Sequence, residues 1–184
     1  MATALVPLAE GFEEIEALSI VDVLRRGGVE VVTASVNGAK SVKGAHAVTV
    51  EADMPLADAA GGEYDAIVLP GGGEGTENLK RCDAIADMLR RQKERGGLIA
   101  AVCAAPTVLV AAGVVDPGVH MTCYPSMQME LDRPWAAAPV VEDGGIVTGQ
   151  GPGCSILFAL VTLKSLCGEA VAHKVARGMV ADFA

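Results

Sequence analysis

Cys103 stands where a thiol could act as a nucleophile. The segment 98–113, LIAAVCAAPTVLVAAG, runs from a continuous apolar stretch straight into small residues. A strand ending at Val102 and a helix opening at Pro106 would put Cys103 at a sharp strand-to-helix turn. Such a nucleophile elbow exposes a reactive side chain at the carboxyl edge of a sheet. The turn also places the sulfur at the positive end of the following helix. A free thiol of pKa about 8.5 is only ~3 % ionised at pH 7, and a helix N-terminus lowers that pKa by about two units or more. Ala104 and Ala105 let backbone amides come close, and Pro106 starts a helix without forfeiting a donor. A cysteine taken alone is more often a small buried hydrophobe; the strand end and the small flanking residues favour chemistry here.

Two further segments could serve that sulfur. Gly71-Gly72-Gly73 follows the apolar run DAIVLP at 65–70, again at a strand's carboxyl end. Glycines there allow amide N–H groups to approach a ligand or an oxyanion; the plainer reading is a tight turn. GGGEG followed by Thr76 misses the GxGxxG dinucleotide pattern, and no GxxxxGK[ST] occurs, so nucleotide binding has little support. In GFEEIEALSI at 11–20, three acids crowd one helical turn. Glu13 and Glu14 suit a helix N-terminus. Glu16 lies deeper, among Ile15, Ala17 and Leu18, although by itself it reads as a solvated acid.

The elements that must position these residues alternate between strand and helix. Strands are expected at 3–9, 29–34, 65–70 and 97–102, with a small β excursion at 41–51 around Gly44. A helix is expected at 14–27, with apolar positions at Ile15, Leu18, Val21, and Val23 or Leu24. Short helices are expected at 55–60 and 169–177, and one helix of about 20 residues from the glycines to Arg95. The helix after Cys103 closes at Gly113. Residues 119–132 read as a strand and then a loop or short helix. A hairpin at 139–149 turns at Asp143-Gly144-Gly145, and GPG at 151–153 opens a last apolar helix. Alternation of this kind gives a mostly parallel sheet flanked by helices, with ligand sites at the strands' carboxyl ends.

Composition narrows the function. The 184 residues suit one domain, 1–184, and half are apolar with few aromatics, which fits an aliphatic core and not a disordered chain. A net charge of −9 repels a phosphate backbone, so nucleic acid is not expected as a main partner. Arg90, Arg91, Lys93 and Arg95 read as the solvated face of a helix. No signal peptide or membrane span is expected, and the default address is cytoplasmic. The five cysteines, Cys82, Cys103, Cys123, Cys154 and Cys167, are odd in number and lack a CxxC pair, which argues for free thiols. His46, His120 and His173 are too scattered for a His-rich metal centre, and no metal or cofactor is expected.

Taken together, EGFEEIEALSIVDVLRRGGVEV, YDAIVLPGG, GLIAAVCAAPTVLVAAG and GIVTGQGPGCSILFAL, in this order, resemble the DJ-1/PfpI superfamily. The likeness is closest to its DJ-1, YajL and ThiJ branch and spans nearly the whole chain. The resemblance implies a flavodoxin-like sandwich and a homodimer. It maps the nucleophile onto Cys103, a conserved buried acid onto Glu16, and backbone oxyanion donors onto Gly72 and Ala104. Gly71, Tyr124 and His46 fall at further pocket positions. PfpI-type peptidases place a His directly after the nucleophile; Ala104 stands there, so peptidase activity is not expected. DJ-1 has a His in the segment matching MTCYPSM, and Tyr124 takes its place, as in YajL-like members that lack the His. His46 falls where DJ-1 carries an Arg contributed to the partner's pocket.

A thiolate and a carboxylate in contact repel, so one of the pair must hold a proton. We expect a neutral Glu16 donating to a Cys103 thiolate. The implied activity is cofactor-free conversion of methylglyoxal or glyoxal, or removal of glycated adducts. The alternative is a redox sensor or stress chaperone, acting through oxidation of Cys103 to the sulfinic acid. Cys123 and Cys154 are read as structural residues near the pocket, and Cys82 and Cys167 as ordinary helix residues.

Overall fold

The computed structural model describes residues 1–183. The chain opens with β1 (Thr3–Leu8), α1 (Glu14–Arg26) and β2 (Glu30–Ser35). Next come β3 (Ser41–Lys43), β4 (Thr49–Glu51), β5 (Met54–Pro55), α2 (Leu56–Ala59) and β6 (Ala66–Leu69). Two helices follow, α3 (Gly73–Lys80) and α4 (Asp83–Glu94), before β7 (Leu98–Val102) and α5 (Pro106–Ala111). The last part holds α6 (Gln128–Leu131), β8 (Val140–Asp143), β9 (Ile146–Gly149), α7 (Ser155–Cys167) and α8 (Glu169–Met179).

Seven strands form one sheet in the order β5-β2-β1-β6-β7-β9-β8, parallel except for the β8–β9 hairpin. β3 and β4 form a separate antiparallel pair. The continuous apolar runs conceal a period of two that feeds two cores. Ala4, Val6 and Leu8 of β1, Ala66 and Val68 of β6, and Ala100 and Val102 of β7 face one core. Ile20, Val23 and Leu24 of α1 and Phe158 and Leu163 of α7 cover them. The alternate residues Leu5, Ile67, Leu69, Ile99 and Ala101 meet Leu79, Ile85, Leu89 and Leu109 on the other side.

Four expectations from the sequence are corrected. The single helix between the glycines and Arg95 is two helices, with Cys82 extended between them (φ −91°, ψ 101°). In an unbroken helix, Leu79 would point away from Met88, nine residues on. The break lets Leu79, Ile85, Met88 and Leu89 all reach one core. In α1 the buried stripe is Ala17, Ile20, Val23 and Leu24, whereas Ile15 and Leu18 face outward at 59 % and 46 % exposure. No strand forms in 119–132; its only ladder contact is a single bridge from Met121 to Trp135. Finally, a turn of Cys103, Ala104 and Ala105 separates β7 from α5, which has only six residues, so the helix dipole acts on the sulfur from farther off.

Candidate active site

β1, β6 and β7 end at one edge of the sheet, so the segments that follow them converge. Cys103 leaves β7 with φ +64°, a left-handed conformation that costs an L-residue about 1–2 kcal/mol. The backbone is held there from both sides. Its N–H donates to Gly149 O at 2.9 Å, and its carbonyl accepts from Tyr124 N at 2.8 Å. The elbow turns the sulfur toward the segment after β6, and the residue is only 8 % exposed.

Gly71 lies against this thiol. A Cβ at Gly71 would come within 2.7 Å of Cys103 Cβ and 2.8 Å of Glu16 Oε2, so only glycine allows the three segments to meet. The Gly71 amide donates to Glu16 Oε2 at 2.7 Å. Gly72 has φ +93°, and a side chain there would run into the Gly11 carbonyl. The Gly72 and Ala104 amides lie close enough to the Cys103 sulfur to favour its anion.

Glu16 is wholly buried, as the first turn of α1 brings it under the glycine loop. Its second oxygen, Oε1, has no hydrogen-bond partner, and the carboxyl faces Cys103 closely enough for each group to act on the other's ionisation. Burial is the main force on both groups. It lifts the Glu16 carboxyl to about 7 against the pull of the Gly71 amide. Burial and the Glu16 charge push the Cys103 thiol up to about 12 against the pull of the two amides. Each group opposes ionisation of the other, so with one proton between them only one of the two carries the charge.

Of the residues singled out in the sequence, Cys103, Glu16, Gly71, Gly72 and Ala104 thus meet at one point. Tyr124 joins through its backbone. Its ring is half-exposed beside Gly151, on an open groove of about 380 Å³ that Pro139, Pro152 and Cys154 also line. His46 makes its contacts with Glu13 and Glu14 and none with Cys103. Its side chain is 73 % exposed, with Nδ1 2.8 Å from Glu14 Oε2 and 3.9 Å from Glu13 Oε1. These three side chains bring one potential ligand atom each within 4.8 Å of one another, the one such grouping among the described residues. Cys123 is sealed in the core, where burial raises its pKa to about 11. Cys154 hydrogen-bonds the Pro139 and Gly151 carbonyls on the groove wall. Cys82 precedes α4 instead of lying within a helix.

Glu13, read from the sequence only as a helix N-terminal acid, is that and more. It is 6 % exposed, caps α1 by accepting from Glu16 N through Oε2 at 2.7 Å, and donates its own N–H to Gly71 O at 3.0 Å. The spacing Glu13-x-x-Glu16 was the available signal, because an acceptor at the cap reaches the third residue of a helix.

An α/β sheet with a strained cysteine elbow facing a buried acid defines a class of site, and comparison with known proteins gives the family. Residues 2–165 match the DJ-1/PfpI family. The Drosophila melanogaster protein dj-1beta is 41 % identical over 184 residues, covering 98 % of each chain. The crystal structure of Drosophila DJ-1beta superposes with a TM-score of 0.94 at 40 % identity, covering 99 % of both chains. Oxidised Toxoplasma gondii DJ-1 gives a TM-score of 0.95 at 36 % identity over the full length of both. A Caenorhabditis elegans relative named glutathione-independent glyoxalase DJR-1.2 is 36 % identical over 162 residues, covering 86 % of this chain and 85 % of the relative. The chain belongs to the DJ-1/PfpI family. Among the described residues, no helix is long and apolar enough to cross a membrane.

Proposed function

We propose that the protein converts small reactive carbonyls, methylglyoxal to lactate and glyoxal to glycolate, without glutathione, using a Cys103 thiolate and a neutral Glu16. The observation that carries this reading is the wholly buried Glu16 carboxyl facing Cys103 with its Oε1 left without a hydrogen-bond partner. A buried carboxylate oxygen with no donor is costly, and a proton on it removes the charge and supplies a donor for the thiolate. The glyoxalase name of the Caenorhabditis elegans relative supports the same chemistry.

In this scheme the thiolate adds to the aldehyde carbon, and the new alkoxide takes the Glu16 proton to give a hemithioacetal. The Glu16 carboxylate then removes the hydrogen from that carbon. The resulting enediolate oxygen lies against the Gly72 and Ala104 amides. Glu16 returns the proton to the neighbouring carbon, leaving a lactoyl thioester. Water cleaves the C–S bond, releasing lactate; of its two protons one returns to Glu16 and one leaves to solvent, restoring the Cys103 thiolate and neutral Glu16. No electron acceptor is needed, because one carbon is oxidised as the other is reduced.

Wild-type protein incubated with methylglyoxal and no glutathione should form lactate, and Cys103→Ala should form none. Absence of lactate at any wild-type concentration, or unchanged formation by Cys103→Ala, would reject the scheme. The oxidised state of the Toxoplasma gondii neighbour gives some weight to a second reading, a redox sensor in which Cys103 oxidises first. Peroxide would then add two oxygens to Cys103 ahead of every other cysteine.

A further inference from the structure

Glu13 closes a small ring around the acid. Its Oε2 accepts from Glu16 N, its N–H donates to Gly71 O, and Gly71 N–H donates to Glu16 Oε2. A negative group is thereby fixed beside Glu16 in a water-poor setting, with both glutamates at least nine-tenths buried. No Lys or Arg forms an ion pair with Glu13 among the described residues; its only ion-pair neighbour is exposed His46. The charged and titratable groups around Glu16 are Cys103 on the β7 side and Glu13 on its own helix, with Glu14 and His46 behind Glu13.

We propose that Glu13 is a positioning residue that drives the shared proton onto Glu16 and so leaves Cys103 as the thiolate. With one proton on the pair, the charge sits either on Glu16 or on the sulfur. Glu13 is tied directly to Glu16, its Oε2 2.7 Å from the Glu16 amide, and repels charge there, whereas it shares no hydrogen bond with Cys103. Its charge therefore penalises the carboxylate–thiol form more than the acid–thiolate form. This inference rests on the Cys103–Glu16 reading above.

The sign of one effect tests it. Glu13→Gln removes the charge while keeping a side-chain oxygen for the Glu16 amide. The rate of Cys103 alkylation by iodoacetamide at pH 7, read by mass spectrometry, should fall by about threefold or more. Glu13→Asp should restore the rate in part. In a Glu16→Gln background no proton remains to be redistributed, so adding Glu13→Gln should leave the rate unchanged or raise it. The infrared band of a neutral carboxylic acid, assigned by its loss in Glu16→Gln, should weaken in Glu13→Gln. A rate that holds or rises in Glu13→Gln alone, with that band intact, overturns the role of Glu13 and leaves the site reading standing. A wild type with no such band at pH 8 overturns both. A drop of equal size in both backgrounds marks Glu13 as a structural cap and also overturns the inference.

Discussion

Replacing Glu16 with Gln should make the protein more stable above neutral pH while impairing turnover. Burial holds the Glu16 carboxyl at about 7 instead of its ordinary 4.5. Between those values the folded chain keeps a proton that the unfolded chain has released. Stability from this retained proton is therefore complete below about 4.5 and is lost as pH rises through about 7, whether the proton released by the coupled pair comes from the carboxyl or from the sulfur. The displacement corresponds to about 3 kcal/mol. Gln is neutral at every pH, keeps an oxygen for the Gly71 amide and offers an N–H to the sulfur. Relative to wild type, Glu16→Gln should thus gain about 2–3 kcal/mol between pH 5 and pH 8.5. In a chain of this length that is roughly 5–10 °C in Tm. Thermal unfolding of both proteins, followed by circular dichroism at the two pH values, measures the gain. An offset between them that is the same at pH 5 and pH 8.5 would refute the reasoning, because a proton retained at Glu16 must make it grow.

Gly72→Ala should cost about 2 kcal/mol or more, since the new Cβ would run into the Gly11 carbonyl at a φ of +93°. Chemical denaturation checks the cost, and slower Cys103 alkylation should accompany it as the Gly72 amide moves off the sulfur. Ile15, Leu18 and Val48 form an exposed apolar face on and beside α1. A second copy of the chain packed there should give a particle of twice 18.7 kDa in light scattering, and Leu18→Lys should halve it. A monomeric wild type would reject that interface.

Much of this was legible in the sequence because small, local rules decide it. The apolar runs LIAAV and AIVL admit only buried strands, and the small residues around Cys103 left room for nothing but a tight elbow. What stayed hidden depends on tertiary geometry. The face of α1 could not be chosen from periodicity, since apolar residues occupy both sides. Ile15 and Leu18 turned out to face outward, and the stripe holding Ile20 and Leu24 is the buried one. The break at Cys82 depends on where Leu79 and Ile85 must land, and that target exists only once β6 and β7 are paired. At the site, pairing Glu16 with Cys103 rested on family likeness, because 87 residues separate them in the chain. Glu13 was legible only as a helix N-terminal acid, because its contact with the Gly71 loop joins segments far apart in the chain.

The pH dependence of Cys103 alkylation in the wild-type protein, quantified residue by residue by mass spectrometry, asks most directly where the shared proton sits. If the pair's first proton comes from sulfur, reactivity climbs with a midpoint well below that of an ordinary thiol at about 8.5. If reactivity instead waits for an ordinary thiol titration, or emerges only toward 12, the proton resides on the sulfur and Glu16 is the anion. That outcome would contradict a thiolate at this elbow.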